Sequence, residues 1–220
     1  GLPRGFATMS RKVEVYSEAM LRLARTGFPY MYPYEQPSCD DYSPICVFKE
    51  PTESPLTDTE YPLVITTGRL PHFHHGTMRH APFIRELMPV PELRINPKTA
   101  AEYGIEHLDW VKITSRRGSS HARAYLTEGI APGVLITERF WNPECFDDTQ
   151  SSITPGFEEC GYNVMSADEF QNPVFATNSY RAFTVKIEKS TRPERIWIES
   201  EQFAPFMPAL RDEPVTKEVF

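Results

Sequence analysis

Thr66-Thr67-Gly68-Arg69 closes the short apolar run Leu63-Val-Ile65, and His72, His74 and His75 follow directly after. Glycine lets a backbone come close to a bulky ligand, and an arginine beside it offers fixed donors to a phosphate or a planar heterocycle. A strand that ends this way is suited to hold a cofactor at its tip. The histidines also raise a metal site, with His80 as a fourth donor. Their i, i+2, i+3 spacing on a loop is not a standard zinc pattern, and no second ligand pair follows. A role in lining a ligand, or a solvated one, is therefore preferred. A histidine can stack on or hydrogen-bond a heterocycle without binding metal.

Composition narrows the classes. The 220 residues carry 40% hydrophobic and 12% aromatic side chains, enough for one substantial core with appendages. The 21 prolines favour loops and extended connections over long helices. A formal charge of −7 speaks against a nucleic-acid partner, which requires clustered Lys and Arg. No run approaches the ~20 apolar residues of a membrane span. The first residues lack the charged and apolar regions of a signal peptide, and Gly1-Leu-Pro-Arg-Gly5 reads like the interior of a longer chain. The compartment stays open. Cys39, Cys46, Cys145 and Cys160 have no C-x-x-C spacing, so a zinc ribbon is not expected. Cys145 and Cys160 lack a base or helix-start context that would make them reactive, and read as structural thiols.

The elements that must position the loop follow from periodicity and punctuation. Lys12–Tyr16 alternates like a strand, and Ser17 can cap a helix running through Ala24 to a stop at Gly27. Phe28–Thr59 is rich in proline and aromatics, as in a long surface connection. The compact domain is expected from Glu60 to Lys189, with a lead-in at 1–59 and an extension at 190–220. Within it, Leu63–Thr67, Leu93–Ile95, Asp109–Thr114, His121–Thr127, Val134–Thr137 and Phe183–Glu188 read as strands. Pro82–Met88 is a short helix. Asn96 and Pro97 start another as cap and first residue, and Gly104 ends it. Ser115–Ser119 is a hairpin turn with Arg116 and Arg117 solvated at its tip. Phe140–Asn178 is a long loop of the kind that carries function. Many short strands with two short helices predict a mainly β domain, closed or nearly closed into a barrel. No internal repeat is evident.

In order along the chain, Thr66-Thr67-Gly68-Arg69, Leu93–Ile105 (Leu-Arg-Ile-Asn-Pro-Lys-Thr-Ala-Ala-Glu-Tyr-Gly-Ile), Asp109–Gly118 (Asp-Trp-Val-Lys-Ile-Thr-Ser-Arg-Arg-Gly) and Ala124–Gly133 resemble one family. It is the C-terminal dinucleotide-binding domain of the dimethyl sulfoxide reductase family of molybdenum and tungsten oxidoreductases, which includes formate dehydrogenases and acetylene hydratase. The resemblance spans Gly5 to Lys189, with Gly5–Ser17 matching the lead-in. It implies a six-stranded double-psi β-barrel. It also implies the ligand: a molybdopterin guanine dinucleotide carrying molybdenum or tungsten, bound in the full-length parent enzyme. Thr67, Gly68, Arg69, His74 and His75 match the family's cofactor-contacting loop. Asn163 matches the asparagine of its Asn-x-Leu-Thr motif, and Arg181 a basic residue before the last strand. No catalytic residue or metal ligand of the family falls on this chain, so the isolated chain is expected to be inactive. The implied partners are the remaining domains of the parent, with an electron-transfer subunit admitted beside them.

Three positions depart from the family pattern. Asn163-Val-Met-Ser166 replaces the usual Leu-Thr with similar bulk and a hydroxyl. Leu108-Asp109 stands where Gly-Asp is common, so that turn is expected not to need a positive φ. Trp141-Asn-Pro-Glu144 resembles a version found near acetylene hydratase-like members. Readings outside the family stay open at this level. One is a noncatalytic double-psi barrel that recognises a peptide or protein. Another is a pyruvoyl-dependent decarboxylase cleaved before Ser119.

Overall fold

A computed structural model describes residues 5–8, 10–26, 43–48, 50–78, 82–85, 87–88, 90–139, 160–166, 177–178 and 181–193. The chain forms two compact units, Gly1–Thr52 with Glu169–Asn178, and Glu53–Asp168 with Ser179–Phe220.

In the first unit, helix α1 spans Glu18–Thr26. Ser17 caps it as its side chain allows: its hydroxyl oxygen accepts the Met20 N–H at 3.3 Å, taking up one of the orphan amides of the first turn. Gly27, the expected stop, lies outside the described residues. Lys12–Tyr16 is not a strand. Val13 and Val15 alternate as one would, but no described segment pairs with them and both are exposed.

The second unit is built on six strands: β1 (Leu63–Gly68), β2 (Glu92–Ile95), β3 (Trp110–Thr114), β4 (Ser119–Leu126), β5 (Val134–Glu138) and β6 (Phe183–Ser190). They close into a barrel in the order β1-β5-β2-β4-β3-β6. The pairs β1–β5 and β2–β4 are parallel and every other neighbour pair is antiparallel. Advancing each strand by three maps this order onto itself, parallel pair onto parallel pair. These are the two interlocked halves of a double-psi β-barrel.

Alternation decides what fills it. Leu63, Ile65, Leu93, Ile95, Val111, Ile113, Leu135, Val185 and Ile187 point inward and are buried, each contributing roughly 1.5–3 kcal/mol of apolar burial. Ala122 and Ala124 on β4 keep the inner face small where the strands converge. A parallel pair needs a crossover, and for β2–β4 that crossover carries α3 (Pro97–Glu102). Asn96 caps α3 with its side-chain oxygen on the Lys98 N–H at 3.0 Å, and its amide donates to the Ile130 carbonyl at 2.7 Å. Gly104 follows at φ 64, the left-handed stop that glycine allows. Helix α2 is shorter than its pattern suggested, covering Pro82–Arg85.

The turn before β3 corrects the expectation at Leu108. Leu108 sits at φ 71, as the third residue of a turn in which the Asp109 N–H donates to the Glu106 carbonyl at 3.2 Å. The ladder imposes this. The Leu108 N–H must reach the Ala124 carbonyl at 2.8 Å, and the Ala124 N–H the Asp109 carbonyl at 2.8 Å. The left-handed region costs a leucine about 1–2 kcal/mol.

Candidate functional site

In this barrel the C-terminal ends of β1, β3 and β5 share a rim with the N-terminal ends of β2, β4 and β6. That rim gathers the residues singled out from the sequence. Gly68, Arg69, His74 and His75 line one open cleft of about 60 Å³, together with Leu70, Phe73, Glu138 and Arg139. Thr67 lies one residue back on β1, in register with Thr137 of β5. Asn163 and Arg181 are exposed and line no part of the cleft, although both belong to the same rim. Arg181 precedes β6, and continuing the β1–β6 register two residues past Ile65–Phe183 would set it opposite Thr67.

The floor of the cleft depends on glycine. A Cβ at position 68 would stand 2.7 Å from Ile136 Cγ2, closer than side chains pack. Beyond Arg69 the chain turns at His74–Thr77, where the Thr77 N–H donates to the His74 carbonyl at 3.0 Å. His75 takes φ 53 in this turn, and its ring meets that of His74 edge-on at 4.9 Å between centroids. Desolvation, then the charges of His74, Arg69 and Arg139, holds the His75 imidazole below its ordinary value. The charged side chains lining the cleft are Arg69, Arg139 and Glu138, two cations against one carboxylate on a chain of net charge −7. Among the described residues no group of three or more His, Cys, Asp or Glu is placed to hold a metal ion. His80 lies outside the described residues, as do Trp141, Cys39 and Cys145.

Two features of the rim went unrecognised in the sequence. Arg139 is the first. β1 ends Val64-Ile-Thr-Thr-Gly-Arg69 and β5 ends Val134-Leu-Ile-Thr-Glu-Arg139. These segments are parallel neighbours, with Val64 beside Val134, Thr67 beside Thr137 and Gly68 beside Glu138. The shared Val-x-x-Thr-x-Arg spacing was the available signal.

Arg117 is the second, and it is not a solvated hairpin tip. Its guanidinium is only 17% exposed and grips the Glu53 carboxylate with both terminal nitrogens, one at 3.0 Å. Its Nε donates to the Met165 carbonyl at 3.0 Å, and the Ser115 hydroxyl donates to the same oxygen at 2.9 Å. Arg116 pairs with Asp58 at 2.7 Å and lies 4.8 Å over the Tyr61 ring. These bonds fix Tyr162–Val164, a single 3-10 turn, against the β3–β4 hairpin. Gly118 lets it approach, since a Cβ there would stand 2.6 Å from the Val164 carbonyl oxygen. Asn163 is thereby carried on a fixed turn. Cys160, just before it, is buried, and Cys46 is exposed.

Comparison with known proteins gives this geometry a context. A family model described as "Molydopterin dinucleotide binding domain" matches residues 63–182. Dopamine dehydroxylase of Eggerthella lenta is 42% identical over 134 residues, a match covering 60% of this chain and 13% of that protein. Dimethyl sulfoxide reductase DmsA of Escherichia coli is 31% identical over 190 residues, covering 83% of this chain and 21% of that protein. The chain thus spans a small fraction of these relatives' length. Among solved structures, acetylene hydratase from Pelobacter acetylenicus superposes with a TM-score of 0.67 at 19% identity, over 86% of this chain and 25% of that one. That likeness is one of fold.

Proposed function

The chain belongs to the family of molydopterin dinucleotide binding domains, and we propose that its barrel rim clamps the pyrophosphate-linked arm of a molybdopterin guanine dinucleotide. The carrying observation is the cationic cleft at the end of β1, where Gly68 leaves room and Arg69, His74 and His75 supply donors. The donor set fits the group: guanidinium and imidazole N–H bind phosphate oxygens with charge-assisted hydrogen bonds. An open cleft of about 60 Å³ takes part of the arm rather than a whole dinucleotide. The rest of the arm would run along the rim past Thr67 toward Asn163 and Arg181. Asn163, with an amide donor and a carbonyl acceptor, would read the edge of the pterin. Arg181 would add a cation beside Thr67. When bound, the cofactor supplies the dithiolene that holds molybdenum or tungsten, and this chain's residues orient it.

The proposal divides the chain into a lead-in at 1–59, the barrel at 60–189 and an extension at 190–220, with an ion-paired collar beginning at Glu53. It places the domain in an oxidoreductase whose metal ligand and substrate pocket lie on other parts of the protein. The remaining domains are its partners, with an electron-transfer subunit beside them. No described helix is long and apolar enough to cross a membrane. The alternative of a peptide-recognition barrel is not favoured by the family match.

The test is to place Gly68→Val and Arg69→Ala in the full-length protein and measure bound molybdenum and tungsten. Both variants should lose most of the metal while the protein stays folded. Wild-type occupancy in both would overturn the role of the loop.

A further inference from the structure

We propose that Arg139 is the second arm of the anion grip, and that Arg69 and Arg139 together make the cleft select a diphosphate over a monophosphate. This rests on the reading of the cleft as a cofactor-phosphate site and adds a residue and a selectivity to it.

Gly68 and Glu138 are the last partners of the parallel β1–β5 pair, and each is followed at once by an arginine. Neighbouring strands lie ~4.8 Å apart, so the two arginines leave the sheet side by side, and both line the same cleft. Like charges lining one cleft repel, and a bridging anion relieves the repulsion. Glu138, 7% exposed, offsets one of the charges. The two guanidiniums still leave the cleft with an excess of positive charge. A guanidinium fork binds two oxygens of one phosphate, so two forks fixed in register match two linked phosphates. A single phosphate engages one fork fully.

The experiment titrates the 220-residue chain with inorganic pyrophosphate and inorganic phosphate, following imidazole proton resonances of His74 and His75 by NMR. Wild type should bind pyrophosphate about tenfold or more tighter than phosphate. In Arg139→Ala that ratio should fall below about threefold, chiefly by loss of pyrophosphate affinity, and Arg139→Lys should fall between, since a point charge lacks the fork. An unchanged ratio in Arg139→Ala, with pyrophosphate still bound, overturns the two-armed grip and leaves the Arg69 reading intact. No response of wild type to pyrophosphate overturns the phosphate site itself. Should Arg139→Ala lose its folded amide spectrum, Arg139→Lys decides alone: a threefold loss of the ratio supports the grip, and an unchanged ratio refutes it.

Discussion

Gly68 lies against Ile136 so closely that any Cβ at position 68 would stand 2.7 Å from Ile136 Cγ2. The two residues sit on neighbouring parallel strands, at the point where β1 delivers Arg69 to the rim. Since the obstruction is a side-chain methyl rather than backbone, it is relievable. Gly68→Ala should destabilise the chain by about 1–3 kcal/mol, the usual cost of overpacking. Ile136→Val keeps Cγ2 and should give no relief, whereas Ile136→Ala should recover part of the loss. Urea unfolding of the single and double variants measures this, and strict additivity would show that the contact does not limit position 68.

Leu108 at φ 71 should be improvable. Leu108→Gly removes a left-handed penalty of about 1–2 kcal/mol, offset by roughly 0.4–1 kcal/mol of added freedom in the unfolded chain. The net expectation is a gain of between about 0 and 1.6 kcal/mol, read as a higher urea midpoint at unchanged slope. A lower midpoint would mean that Leu108 contributes more through packing than its backbone costs.

These cases show what the sequence reveals and where it stops. Alternating apolar residues in Leu63–Ile65, Leu93–Ile95 and Val111–Ile113 mark strands because one face of each is buried. Asn96, Pro97 and Gly104 mark helix ends because cap chemistry is local. Leu108 was hidden because its conformation is imposed by Ala124, a partner in the ladder. Arg117 read as solvated because its partner, Glu53, lies 64 residues away. Arg139 was missed for the same reason: its neighbour Arg69 becomes visible only once β1 and β5 are known to be parallel. Val13 and Val15 show the converse, an alternation with no described partner.

The Arg117–Glu53 pair should govern acid stability. Burial alone would raise the Glu53 carboxyl, but the Arg117 hydrogen bonds, the Thr184 amide and the charges of Arg117 and Arg116 outweigh it and hold the group below its ordinary 4.5. A depressed carboxylate contributes stability that is complete above its unfolded value and is lost as pH falls through its folded one. Urea midpoints should therefore hold from pH 7 to about 5 and fall below 4.5. Glu53→Gln should flatten that fall. At pH 7, Arg117→Ala should cost about 2–3 kcal/mol, under the ~3–5 kcal/mol of a fully enclosed pair because Arg117 keeps 17% exposure. A loss under 0.5 kcal/mol would show the pair to be ornamental.

His75 should couple phosphate binding to protons. Desolvation, then coupling to His74, Arg69 and Arg139, depresses its imidazole in the free chain, and a phosphate beside it would favour the charged form. Binding then takes up a proton at His75, so the ratio of wild-type to His75→Asn pyrophosphate affinity should decline as pH rises from about 5.5 to 7.5, by at most tenfold per unit, the ligand's own ionisation being common to both. His75→Asn tolerates the left-handed turn and does not titrate. It should flatten the profile in calorimetric titrations. An equally steep profile in that variant would assign the proton to another group.

The central claim is that the Gly68–Arg69 cleft holds the cofactor's nucleotide arm. The most direct measurement is the amount of guanosine monophosphate released by acid from the purified full-length protein, per polypeptide. A severalfold loss is expected in Arg69→Ala, and full content in Lys112→Ala, which removes an outer-wall charge paired with the exposed Glu188. Equal nucleotide content in both variants would contradict it.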